Sequence, residues 1–183
     1  RHALKLLAQT QHKMRRRNPA RWRAIEARLS RESTIWLATV RGDGRPHLAP
    51  LWYIWLDEKI YICTGSESQK YVNMFNNQNV ALSLADTANV LIIEGEAHSS
   101  PRSSIEPLAE HFYNKYEWDF RFDESADWRL IEITPFKIIA WGDGYDSQEG
   151  IRVCRQVADM PIEDSQNSSG RVLCESYHSL LHY

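Results

Sequence analysis

Thr64, Ser66, Ser68 and Lys70 stand within seven residues of one another, where the chain passes from a strand-like pattern to a helical one. Ile60 to Thr64 is an apolar, β-prone run and Gly65 breaks it. Ser66-Glu67-Ser68-Gln69 then has the S-x-x-Q form of a capping box, so a helix is expected from about Ser68 to Asn76. The start of a helix exposes unpaired N–H groups and the positive end of the peptide dipole, and both attract anions. Three hydroxyls and one ammonium in that first turn have the chemistry of a phosphate site. Taken alone, the pattern favours the plainer reading of a capped helix with a solvated lysine.

The flanking segments must position this corner. Ile35 to Val40 reads as a strand, Gly42-Asp43-Gly44 as a hairpin turn, and His47 to Trp55 as the return strand. Alternation splits the return strand into Leu48, Pro50, Trp52 and Ile54 on one face and His47, Ala49, Leu51, Tyr53 and Trp55 on the other. Both faces are largely apolar, so both are expected to be covered. Asp57-Glu58-Lys59 turns the chain into the strand ahead of Thr64. Tyr71, Met74 and Phe75 give the helix one apolar side, and the run Asn76 to Asn79 ends it.

Further along, Val80 to Ala85 and Asn89 to Ala97 read as strands, and Leu91-Ile92-Ile93 is apolar on both faces, as in a strand packed between a core and a second subunit. Ser103 to Glu106 offers another capping box, opening a helix from about Ser104 to Glu117. Trp118 to Asp127 mixes aromatic and charged residues without a period and is expected as a loop. Trp128 to Thr134 and Lys137 to Trp141 are expected as two strands divided by Pro135, which cannot donate to a ladder.

The run from Trp36 to Asn79 resembles the flavin-binding split-barrel family typified by pyridoxamine 5'-phosphate oxidase. The resemblance rests on Leu37-Ala38-Thr39-Val40, Gly44-Arg45-Pro46-His47, Pro50, Tyr61, Thr64, Ser68-Gln69-Lys70 and Asn77-Gln78-Asn79-Val80, in order and in register, and extends over about residues 30 to 141. It implies a mainly β chain with flanking helices, a six-stranded split β-barrel binding FMN, as a homodimer with flavin at the subunit interface. Thr64, Ser68 and Lys70 match the family's phosphate-binding positions, with Ser66 and Gln69 beside them. His47, Leu48, Ala49, Pro50 and Trp52 lie on the strand that runs along the isoalloxazine ring. Trp141 matches an aromatic near the flavin of the neighbouring chain, and filling the barrel mouth suits it equally. Two departures argue against pyridoxamine phosphate as substrate: Gln69 replaces an arginine, and the basic Arg-x-His motif near the family's C-terminus has no counterpart.

On this reading residues 1–30 are a basic helical extension, 31–141 the FMN-binding domain, and 142–183 a polar extension of unknown role. Residues 1 to 31 carry ten Lys or Arg against Glu26 alone, while the net charge of the whole chain is −2. That patch could meet nucleic acid or an anionic membrane surface. Asn18-Pro19 followed by Trp22, Ile25 and Leu29 instead describes a docked amphipathic helix with a solvated basic face, and no base-stacking set accompanies the charge. No run has the apolar length of a membrane span, and Cys63, Cys154 and Cys174 form no paired pattern, so a cytoplasmic protein is expected. Cys174, His178 and His182 share a spacing of four, which without a fourth ligand is read as no metal site.

If FMN is the cofactor, hydride or electron chemistry belongs to the flavin, and no side chain need act as nucleophile. The partners expected are a small-molecule substrate or NAD(P)H. The resemblance also extends to relatives that hold a deazaflavin or haem, with His47, His98 and His111 as axial candidates for the latter, and to non-enzymatic flavin-binding or sensor proteins.

Overall fold

The computed structural model describes residues 18–145 and 151–152. Three helices, α1 (Pro19–Arg31), α2 (Gln69–Asn76) and α3 (Ile105–Tyr116), flank a single antiparallel sheet. Its strands are β1 (Thr34–Val40), β2 (Pro46–Trp52), β3 (Ile54–Leu56), β4 (Lys59–Gly65), β5 (Asn79–Ser83), β6 (Val90–Ser99), β7 (Trp128–Trp141) and the short β8 (Ile151–Arg152).

The strand order β2-β1-β5-β6-β7-β4-β3 begins and ends on neighbouring pieces of chain. β2 pairs with β1, β3 pairs with β4, and only Tyr53 separates them. The sheet therefore curls until one bent strand serves both of its ends, which makes a split barrel. Counted as one, β2 and β3 complete the six strands expected; broken at Tyr53 they make seven, and β8 adds to the side of β7.

The break is held from outside. Tyr53 has no exposed surface, and its freed N–H donates to the Tyr116 hydroxyl at 2.9 Å. That hydroxyl lies 2.7 Å from the Tyr53 carbonyl and 2.8 Å from the Ser33 carbonyl, and Lys115 Nζ donates to the Tyr53 carbonyl at 3.1 Å. Buried backbone polar groups need such partners. The break also explains why Tyr53 and Ile54 are both buried, where strict alternation would put them on opposite faces.

Two apolar clusters follow. Inside the barrel, Ile35, Leu37, Ile60, Ile62, Leu82, Leu91, Ile93 and Ile133 meet Trp22, Ile25 and Leu29 of α1. The Asn18 side chain caps α1 by accepting from the Arg21 N–H at 3.1 Å. Outside β3, β4 and β7, Leu108, Ala109 and Phe112 of α3 pack on Ile54, Tyr61 and Leu130, with Phe120, Trp118 and Trp128 adjoining.

Several local expectations change. β7 is one strand of 14 residues running through Pro135. The proline stands opposite Gly95, at a register shift in the β6–β7 ladder, and beyond the last β4 pair at Ile133, so its missing N–H falls where the ladder is already interrupted. The cap of α2 is Ser68, not Ser66: the Ser68 hydroxyl accepts from the Tyr71 N–H. Ser104 precedes α3 without a side-chain cap bond, after a 3₁₀ turn over Arg102–Ser104. Asp57 and Glu58 both take left-handed φ angles, 51° and 61°, in the two-residue turn joining β3 to β4.

Candidate functional site

Thr64 is the last but one residue of β4, on its buried side, and α2 begins five residues later, so the corner is made by strand and helix together. Thr64 is 1% exposed, and its hydroxyl is 2.9 Å from that of Ser68. It thereby supports the N-cap and is turned away from solvent. Ser66 and Ser68 are half-buried, the Ser66 N–H donating to the Asp127 carbonyl and the Ser68 N–H to the Gly65 carbonyl. These bonds fix the loop from which the helix starts.

Lys70 lies three and four residues before Asn73 and Met74, the buried residues of α2, and so faces the body of the protein. It is half-buried, and burial lowers its pKa. No carboxylate or other hydrogen-bond partner meets it among the described residues. A partly desolvated ammonium in the first turn of a helix, at its positive end and with no counter-charge among the described residues, is suited to an anion.

β2 supplies the second part. Among the described residues it pairs with β1 alone, leaving one edge of N–H and C=O groups free for a planar ligand's polar rim. The strand divides the residues expected along a ring. His47 and Ala49 face the half-buried side, toward the barrel, whereas Leu48, Pro50 and Trp52 face outward, Leu48 being 62% exposed. Trp52 is stacked on Tyr116 with ring centroids 4.8 Å apart. Gln69 is exposed, with its amide turned to Asn73.

Trp141 is the last residue of β7 and pairs with Val90 of β6, four strands along the sheet from β2. Among the described residues no hydrogen bond or ring contact joins it to the other site residues. It lies instead on an outward sheet face that α3 leaves open. There Pro50, Trp36, Ser83, Ile92 and Ile139 form one transverse row, next to a row of Leu48, Ala38, Ala81, Glu94 and Lys137. The face expected to be covered is thus left bare by the described residues.

Sequence reasoning gave Thr39 no role beyond its place in Leu37-Ala38-Thr39-Val40 and passed over Asn73. They are 2% and 1% exposed, and the Asn73 amide donates to the Thr39 hydroxyl at 2.8 Å, tying α2 to β1 behind His47. The available signal was a polar residue on an apolar face: Thr39 continues the inward row of Ile35 and Leu37, and Asn73 precedes Met74 on the inner side of the helix.

Other candidates lie apart. A wide-open cavity of about 470 Å³ is lined by Glu106, Pro107, Glu110, Tyr113, Asp119 and Arg121, with no residue from β2, β4 or α2. Arg121 is ion-paired there with Asp119 and Glu106. His98 is 3.8 Å from Glu96, and His111 is exposed on α3. Cys63 is half-buried, and burial pushes its thiol up to about 12, which suits a packing role. No group of three or more His, Cys, Asp or Glu among the described residues could hold a metal ion. Cys154, Cys174, His178, His182, most of the basic head and the polar extension lie outside the described residues. No described helix is long and apolar enough to cross a membrane.

The fold is therefore a split β-barrel with an anion-attracting helix start beside a free strand edge. The family model for pyridoxamine 5'-phosphate oxidase matches residues 22–142. Among solved structures, General Stress Protein 26 from Bacillus anthracis is similar at 27% identity and a TM-score of 0.56, over 71% of this chain and 96% of that one. An F420 reductase is similar at 24% identity and a TM-score of 0.53, over 62% and 94%. A heme binding protein from Mycobacterium smegmatis is similar at 16% and 0.57, over 70% and 57%. No curated protein matches the chain. With well over half of its length matched by the model, the chain belongs to the pyridoxamine 5'-phosphate oxidase family.

Proposed function

We propose that the protein is an FMN-dependent oxidoreductase, cytoplasmic and homodimeric, that does not act on pyridoxamine phosphate itself. The observation that carries this reading is Lys70: a half-buried ammonium at the first turn of α2 without a carboxylate among the described residues, following Ser66 and Ser68 in sequence. A phosphate monoester there would replace the missing counter-charge and accept from the helix-start N–H groups. Thr64 acts one bond further back, holding the Ser68 hydroxyl.

The free edge of β2 would receive the polar rim of the isoalloxazine. Bound there, flavin supplies hydride or electron transfer, and the chain's own residues bind, orient and exclude water. The open apolar face around Trp36, Leu48, Trp52, Ile92 and Ile139 is suited to a second copy, which would cover one side of the ring and bring its own Trp141 into reach. Gln69, in place of a second cation, leaves the site less basic than in the vitamin B6 oxidases.

The test is the visible spectrum of freshly purified protein, followed by anaerobic addition of NADH or NADPH. Flavin bands that bleach support an oxidoreductase, and flavin bands inert to reductants support a flavin-binding or sensor protein. A Soret band would replace flavin by haem. A deazaflavin would be recognised by its blue-shifted absorption.

A further inference from the structure

Gln69, Asn73, Thr39 and His47 form one line of hydrogen-bonding side chains from the first turn of α2 to the rim of the barrel. Gln69 Nε2 donates to Asn73 Oδ1 at 2.8 Å, and Asn73 Nδ2 donates to Thr39 Oγ1 at 2.8 Å. Thr39 Oγ1 then lies 3.5 Å from His47 Nδ1. Three elements contribute: Gln69 and Asn73 belong to α2, Thr39 to β1, and His47 to β2, directly opposite Thr39 in the ladder.

The two middle members are almost wholly buried, so their polar atoms cannot turn to water instead. A threonine hydroxyl has one proton to give. With the Asn73 amide donating to its oxygen, that proton has His47 Nδ1 as its acceptor. Were Nδ1 itself protonated, two donors would face the Thr39 oxygen and the hydroxyl proton would be stranded in a buried position. The other self-consistent arrangement turns both amides, reverses every bond, and places the ring proton on Nδ1. The orientation present thus selects the tautomer with its proton on Nε2. That nitrogen has no partner among the described residues. At 3.5 Å the last link is long, and links of this kind tighten when a ligand engages the far side of the ring.

We infer that Thr39 and Asn73 are positioning residues, holding His47 as the Nε2–H tautomer so that it donates to an acceptor on the rim of a flavin ring at β2. The identity of the ligand rests on the flavin reading above, whereas the tautomer does not.

The experiment therefore has two arms. In ligand-free, ¹⁵N-labelled protein at about pH 8.5, above the ordinary imidazole range, long-range ¹H–¹⁵N spectra read which ring nitrogen carries the proton. The His47 signals are assigned by their loss in His47→Gln. The wild type is expected to show a protonated Nε2 and a bare Nδ1. Asn73→Asp puts an acceptor-only carboxylate in the line, draws the Thr39 proton toward itself, and is expected to move the ring proton to Nδ1. An unchanged tautomer in that variant overturns the inference. If Asn73→Asp does not fold, Thr39→Val and Thr39→Ser decide: Ser is expected to keep the wild-type Nδ1 shift and Val to move it, and an unmoved shift in Val overturns the inference.

The second arm titrates riboflavin and FMN. Thr39→Val is expected to weaken both by about tenfold, because it acts at the ring end and not at the phosphate. His47→Gln, whose amide N–H takes the place of Nε2–H, is expected to bind better than His47→Asn. A tautomer that responds while riboflavin affinity does not overturns the donor role. Absence of flavin binding in the wild type overturns both that role and the flavin reading, and the first arm still decides the tautomer.

Discussion

Tyr116→Phe tests the proposition that the barrel is bent at Tyr53 because a hydroxyl caps the broken strand. The substitution leaves the aromatic ring, so its stacking on Trp52 at 4.8 Å and its packing on Phe112 are retained. What is lost is the acceptor for the Tyr53 N–H and one donor shared by two carbonyls. The Tyr53 carbonyl keeps Lys115 Nζ at 3.1 Å. The N–H belongs to a residue with no exposed surface and has no replacement, and an unsatisfied buried donor costs about 1–3 kcal/mol. The expected loss is therefore about 2 kcal/mol, or about 4–8 °C in Tm for a chain of this size. Urea and thermal unfolding of the variant beside Tyr113→Phe measure it; Tyr113 is 57% exposed and should change by less than about 0.5 kcal/mol. Amide exchange at Tyr53 should also quicken. If Tyr116→Phe matches the Tyr113 control in stability, the cap does not hold the break.

Lys115 gives a pH signature. Burial lowers its pKa from 10.5 to about 8, so above pH 8 the unfolded chain holds the proton more than the native state does, and native stability gains with rising pH until about 10.5. Relative to Lys115→Met, wild-type stability should rise from pH 7 to pH 9, by about 1 kcal/mol at most because the group is half in solvent; a flat difference would refute it. Gly95→Ala puts a methyl 2.8 Å from the Thr134 carbonyl and 3.0 Å from Ile133 at the β-bulge, and should destabilise by about 1–3 kcal/mol in denaturant unfolding. Leu48→Glu lies on the open outer face, so it should leave the folded chain intact by circular dichroism and convert the proposed dimer to monomer by light scattering. A wild type that is already monomeric would contradict the proposed assembly.

The sequence made the strands visible wherever inward apolar and outward residues alternate cleanly, as in β1, and it located α1 from Asn18-Pro19 and the Trp22, Ile25, Leu29 stripe. It could not show the break at Tyr53. That break depends on Tyr116 and Lys115, more than sixty residues away, reaching the freed backbone groups. Pro135 misled for a related reason: a proline inside a strand is tolerated only where the neighbouring ladder is interrupted, and that depends on where β4 ends and where β6 bulges. At the corner, Ser66 fits the S-x-x-Q pattern, but the turn closed by the Ser68 N–H on Gly65 leaves Ser68 as the cap. Thr64 and Ser68 meet because they are close in sequence, and Lys70 follows in the first turn of α2. The Thr39–Asn73 contact spans 34 residues and becomes evident only once α2 is packed against β1.

The central claim is that a phosphate monoester is held at the start of α2 by Lys70. Calorimetric titration of FMN and riboflavin into the flavin-free protein, beside Lys70→Ala, tests it most directly. The expected result is that the wild type binds FMN more tightly than riboflavin by tenfold or more, and that Lys70→Ala removes most of that difference while leaving riboflavin affinity unchanged. Equal affinity of the wild type for the two ligands, or an FMN preference undiminished in Lys70→Ala, would contradict it.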